Sequence, residues 1–183
     1  MIVCCGDSIT AGQYLPEGEK SWPALVTGHE LIAAGVPSDT TRLGIERFPR
    51  DVQERLPQGV IIQFGHNDCN RWDTDRGLPR VSLKAYTANL EEMVQRCRTF
   101  GAQPFLCTLT ESERSERHAT DVRLYSIHLH ALALRLDVPL IDARYRLGFS
   151  SRTLLMEDGL HLNQEGHRLY ALAVQEVLDE WFD

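Results

Sequence analysis

The sequence predicts an α/β fold: a three-layer α/β/α sandwich around a flavodoxin-like, mostly five-stranded parallel sheet. Three observations carry that expectation. Short apolar, β-branched runs alternate with longer segments of helical periodicity, the pattern of βαβ units around a parallel sheet. No internal repeat and no Gly/Ser/Pro-rich linker divides the 183 residues, so a single domain over residues 1–183 is expected. Hydrophobic residues make up 43% of the chain, enough for one core.

Strands are expected near Ile2–Cys5, Glu30–Ala34, Val60–Phe64, Pro104–Leu109 and Pro139–Ile141. The second has the poorest strand formers, Ala33 and Ala34. The first helix opens over Trp22–Val26, with Ser21 as N-cap and Pro23 in the first turn. Asp39 or Thr40 can cap the next, where Ile45, Phe48, Val52 and Leu56 keep helical spacing and Pro49 is expected to break or kink the helix. Ser82 can cap a helix running to about Phe100, with Gly101 as its stop. Val122, Tyr125, Leu129, Leu132 and Leu136 form the stripe of a fourth. The last helix, roughly Gln164–Trp181, carries Tyr170, Val174, Val177, Leu178 and Trp181 on one face. Gly65–Arg80 and the charge-rich Glu111–His118 are expected to be irregular, the latter a solvated loop.

Charge and cysteine usage narrow the function classes. Lys plus Arg number 19 against 26 Asp plus Glu, a net charge of -7. That sign argues against nucleic acid and against a polybasic membrane surface as partners. No apolar run approaches the ~20 residues of a bilayer span. Met1 runs straight into Ile-Val-Cys-Cys with no basic region before it, so no secretory leader is expected. Five cysteines, an odd count, read as free thiols in the cytoplasm rather than disulfides. His128 and His130, two apart on an expected helix, point to different faces and make a poor metal pair. There is no Cys-x-x-Cys and no nucleotide-binding glycine motif, so no metal and no organic cofactor is implied. The expected partner is a small molecule, with the oligomeric state left open.

In a sheet of order 2-1-3-4-5, ligands bind beyond the carboxyl ends of the strands where the order reverses, between strands one and three. The loop after strand one reads Gly6-Asp7-Ser8-Ile9-Thr10 and exposes a serine at a glycine-permitted turn. The loop after strand three reads Gly65-His66-Asn67-Asp68, and Asp158-Gly159-Leu160-His161 stands just before the last helix. Together they bring serine, histidine, aspartate and an amide donor to one edge of the sheet. Asp7 and Asp68 are expected to organise local hydrogen bonds.

These blocks, in this order, resemble those of the SGNH (GDSL-type) hydrolases. Gly35-Val36-Pro37-Ser38-Asp39-Thr40-Thr41 is similar to the second block of that family, with Ser38 where glycine is usual. The resemblance implies an ester hydrolase working through an acyl-serine. It implies Ser8 as nucleophile, His161 as general base and Asp158 as its orienting carboxylate. The implied oxyanion hole comprises the backbone N–H of Ser8, the backbone N–H of Ser38 and the Asn67 side chain. Short-acyl esters of small polar alcohols such as acetylated sugars are the expected substrates. Lysophospholipase, thioesterase or acyltransferase chemistry, or a non-catalytic binding domain of the same fold, are the alternatives. Specificity is expected from Gly65–Arg80 and Gly148–Glu157: Arg71 and Trp72 can meet a polar alcohol, and Leu155 can line a small acyl pocket.

Overall fold

The structure, a computed structural model, describes residues 1–148 and 152–182. Five parallel strands form one sheet in the order β2-β1-β3-β4-β5. They are β1 (Ile2–Gly6), β2 (Leu31–Gly35), β3 (Gly59–Gln63), β4 (Gln103–Cys107) and β5 (Leu140–Ile141). The expected strand order is the observed one, with strand ends shifted by a residue or two. β2 forms despite its alanines because its backbone ladders onto buried β1, Cys4 opposite Ala33 and Cys5 opposite Ala34.

Alternation along the strands divides the core into two layers. Val3, Cys5, Val60, Ile62 and Leu106 face one side. There they meet α2 (Thr41–Asp51), α4 (Leu83–Thr99) and α5 (Glu116–Leu136) through Phe48, Met93 and Leu129. Ile2, Cys4, Ile61, Phe105 and Cys107 face the other, against Tyr170, Val174 and Leu178 of α7 (Gln164–Phe182). A short α6 (Ala143–Leu147) also packs on α7. Ser82 caps α4 as expected, accepting the Ala85 N–H at 3.3 Å. All five cysteines are free and buried. Burial pushes the thiols of Cys5 and Cys107 up to about 12 and raises the other three as well. No described helix is long and apolar enough to cross a membrane.

Four expectations are corrected. The helix over Trp22–Val26 is a single 3₁₀ turn, Trp22–Ala24, held by Trp22 stacked on Tyr170 at 5.1 Å. α2 runs through Pro49 and ends two residues later at Asp51, so the proline sits in the last turn rather than breaking the helix. Leu56 lies beyond that helix, with φ 49° and 78% exposure, and is not part of its apolar stripe. Finally, Glu111–His118 is not a solvated loop throughout. Glu111, Ser112 and His118 are buried: Glu111 pairs with Arg144, and Ser112 Oγ lies 2.7 Å from His118 Nδ1.

Candidate active site

Two ends of the chain meet at the carboxyl edge of β1. A Cβ on Gly6 would lie 2.2 Å from Thr10 Oγ1 and 2.8 Å from the Gln63 carbonyl oxygen, so the turn out of β1 demands glycine. Asp7 then caps a four-residue helix, α1 (Ser8–Ala11), its Oδ1 accepting the Ile9 N–H at 2.9 Å. Ser8 is the first residue of that turn, where a backbone N–H has no intrahelical acceptor. Burial pushes the Asp7 carboxyl up to about 7, and its Oδ2 has no hydrogen-bond partner among the described residues.

The turn before α7 supplies the other half. Asp158 Oδ1 accepts the N–H groups of Leu160 and His161, each at 3.0 Å, which fixes the turn. Its Oδ2 lies 2.5 Å from His161 Nδ1, and His161 Nε2 lies 2.9 Å from Ser8 Oγ. Burial by itself would raise the Asp158 carboxyl; the side-chain and backbone bonds from His161 and the Leu160 N–H outweigh it and hold the carboxyl below its ordinary range. An ionised Asp158 draws the ring proton to Nδ1, which leaves Nε2 to accept the Ser8 hydroxyl hydrogen. Gly159 is required by close approach as well. A Cβ there would lie 2.9 Å from the Glu113 carbonyl carbon and 3.0 Å from the Arg114 nitrogen. The Glu113 N–H donates to the Gly159 carbonyl at 2.7 Å, so the 111–114 segment braces the histidine turn.

Asn67 and Ser38 line the same cleft as Ser8. Asn67 sits on α3 (His66–Cys69), and its Nδ2 donates to the Asp39 carbonyl at 3.0 Å, using one of two amide hydrogens. Asp68 ties α3 to the start of α2, accepting from the Thr41 N–H and, at 2.5 Å, from Thr41 Oγ1. Burial raises the Asp68 carboxyl to about 6 against those two bonds. Ser38 has φ 68°, a left-handed backbone that suits glycine better than serine. The N–H groups of Ser8 and Ser38 have no partner among the described residues.

The GDSL-like lipase/acylhydrolase family matches this chain over residues 4–169. The chain belongs to that family. Its relatives include an arylesterase of Vibrio mimicus, 28% identical over 97% of this chain and 87% of the relative. An acetylxylan esterase of Geobacillus stearothermophilus is 26% identical over 98% and 94% of the two chains. The crystal structure of a lipase/acylhydrolase from Enterococcus faecalis superposes with a TM-score of 0.82 at 28% identity, covering 98% of this chain and 95% of that one. As a GDSL-type protein the chain is a hydrolase acting on ester bonds.

The cleft of this GDSL hydrolase measures about 390 Å³ and contains Ser8, Ser38, Asn67, Asp158 and His161 together. Trp72 lines it. Arg71 does not: its guanidinium is taken by Asp121, at 2.7 and 2.9 Å, and by the Gly77 carbonyl. Leu155 is buried in the core, bridged to Leu162, and Leu160 lines the cleft in its place. Of the Gly148–Glu157 segment, residues 149–151 lie outside the described residues. His66 Nε2 lies 3.1 Å from Thr110 Oγ1, and burial, with His118 and His161 nearby, lowers its ring to about 3.

Sequence reasoning missed four residues. Tyr14 sets its ring edge-on to His161 at 4.8 Å. Arg80 and Arg114 line the cleft. Arg47 clamps the loops from behind, donating to the Gly6 carbonyl at 2.8 Å, the Ala34 carbonyl at 2.9 Å and Asp39 Oδ2 at 2.6 Å. Arg80 closes the Gly65–Arg80 segment from which specificity is expected, whereas Tyr14, Arg47 and Arg114 carry no signal of their role in the sequence.

Proposed function

We propose that this chain, acting as one catalytic domain, hydrolyses short-acyl carboxylic esters of small polar alcohols through an acyl-serine. The observation that carries the reading is the relay Asp158–His161–Ser8, with contacts of 2.5 and 2.9 Å. Ser8 Oγ bonds to the ester carbonyl carbon as its proton passes to His161 Nε2. The oxyanion is met by the N–H groups of Ser8 and Ser38 and by the free hydrogen of the Asn67 amide. The carbon–oxygen bond to the alcohol breaks as His161 returns the proton to the leaving oxygen. Water then adds to the acyl carbon, giving its proton to His161; collapse releases the acid and restores Ser8.

A cleft of about 390 Å³, rich in polar side chains, supports a short acyl group and a polar alcohol. The names of the arylesterase and acetylxylan esterase relatives point the same way. Five free thiols favour a reducing compartment, the cytoplasm. The test is Ser8→Ala. Hydrolysis of p-nitrophenyl acetate should fall to background and phosphonate labelling should vanish, with a melting temperature little changed because hardly any apolar surface is lost. Activity near that of the unaltered protein would overturn the assignment.

A further inference from the structure

The chain carries a net charge of -7, yet the cleft beside Ser8 is lined by two arginines, Arg80 and Arg114, against one carboxylate. That carboxylate, Asp158, is already bonded to His161. Neither arginine has an ion-pair partner among the described residues. Asp68, whose charge reaches Arg80, lies buried below and is held by Thr41.

Both cations are set by the loops that carry the chemistry. Arg80 Nη1 donates to the Ser38 carbonyl at 3.0 Å, and its guanidinium lies 4.5 Å over the Trp72 ring, so it is fixed on the oxyanion side. Arg114 follows Glu113, whose N–H donates to the Gly159 carbonyl, so its backbone lies against the turn that presents His161. That is the side on which the leaving alcohol must stand to take its proton. Asn70 adds to the donor array: its Oδ1 is occupied by the Arg71 N–H, which leaves its NH₂ to the cleft. An acidic protein that gathers unpaired cations and amide donors in one concave site focuses positive potential there.

We infer that the preferred substrate is an ester whose alcohol portion bears an anion, a carboxylate or phosphate, met by Arg114 in a cleft whose positive potential Arg80 reinforces. This rests on the esterase reading above and narrows it to anionic alcohols. Arg114 and Arg80 thereby become specificity-determining residues, absent from the acyl-transfer steps themselves.

The experiment compares 4-acetoxybenzoate, 4-acetoxyphenyl phosphate and the neutral 4-acetoxybenzamide, each rate divided by its spontaneous alkaline hydrolysis. A fourth ester, the 4-nitrophenyl half-ester of succinic acid, puts the anion on the acyl side. The unaltered enzyme should favour an anionic-alcohol ester over the amide by about tenfold or more in kcat/KM, and salt should erode the preference. The two anionic alcohols distinguish carboxylate from phosphate. Arg114→Gln should remove most of the preference and Arg114→Lys should restore part of it; Arg80→Gln should lower it further. Equal rates on charged and neutral esters, a preference confined to the succinate half-ester, or an Arg114→Gln loss equal on all substrates would overturn the inference while leaving the esterase standing. Failure to cleave any of the four would remove the esterase reading and the inference with it.

Discussion

In the proposed oxyanion hole, substitutions at Ser38 and Asn67 separate a backbone donor from a side-chain donor. Ser38 is exposed and has φ 68°, where an L side chain costs about 1–2 kcal/mol. Glycine escapes that cost but loses about 0.5–1 kcal/mol through the freedom it gives the unfolded chain. Ser38→Gly should therefore gain about 0.5–1 kcal/mol, a rise in Tm of roughly 1–4 °C for a chain of this size. Ser38→Ala keeps the strained backbone and should leave Tm unmoved. Neither change deletes an N–H, so both variants should retain kcat within about threefold. Asn67→Ala deletes a donor outright and should cost ~10²–10³ in kcat, about 3–4 kcal/mol of transition-state stabilisation. The assay is turnover on p-nitrophenyl acetate at shown saturation, alongside thermal melts of each variant. A Ser38→Ala loss as deep as that of Asn67→Ala would refute the backbone assignment, because it would require the hydroxyl itself to meet the reacting group. A fall in Tm for Ser38→Gly would refute the strain argument independently.

Two further outcomes follow from buried charges. Arg47→Met strips donors from the Gly6 and Ala34 carbonyls and leaves Asp39 and Asp51 without their buried cation, so urea unfolding should show a loss of about 3–5 kcal/mol; a loss below about 1 kcal/mol would show that the clamp is idle. The Asp7 carboxyl, raised to about 7 by burial, stays protonated in the fold where the unfolded chain has already ionised near 3.9. Its contribution is whole below the unfolded value and drains away as pH rises through about 7. Asp7→Asn keeps the Oδ1 cap and has no proton to lose, so its stability relative to the unaltered protein should climb between pH 4 and pH 7 and level off above. Denaturation at several pH values reads the difference, and a difference constant with pH would contradict the raised carboxyl.

The strand order was readable in the alternation of apolar runs with helical patterns, and so was the meeting of three loops at one sheet edge; the roles of Ser8, Asp158 and His161 came from the resemblance to the GDSL-type family. β-branched runs announced the strands, and Gly6-Asp7-Ser8 and Asp158-Gly159-Leu160-His161 sit where strand ends and a helix start constrain few residue types. What escaped was where individual side chains turn once the chain is folded. ESERSERH is polar enough to look solvated, yet Ser112 and His118 satisfy each other and Glu111 meets Arg144, so polarity was a poor guide to burial. Arg71 lies in the expected specificity loop, but a bidentate bond to Asp121, fifty residues on, takes its head group away. Leu155 was close to the triad in sequence and still fell on the core side of its bridge to Leu162. The left-handed backbone at Ser38 is likewise invisible, since serine gives no sign of a conformation that glycine would have announced.

The five buried thiols also make the molecule a recorder of its own opening. They are spread over β1, α3, α4 and β4, on both faces of the sheet. Since only the thiolate attacks, and burial keeps every one protonated, an alkylating reagent can mark only molecules that have opened. The count of marks per molecule then distinguishes a local breach, which frees one or two sulfurs, from global unfolding, which frees all five. Ser8 and His161, 153 residues apart, close the sheet's first strand against its last turn. A phosphonate fixed on Ser8 should hold that closure, and the slowing of alkylation at Cys4 and Cys5 would measure how tightly the two ends of the chain guard each other.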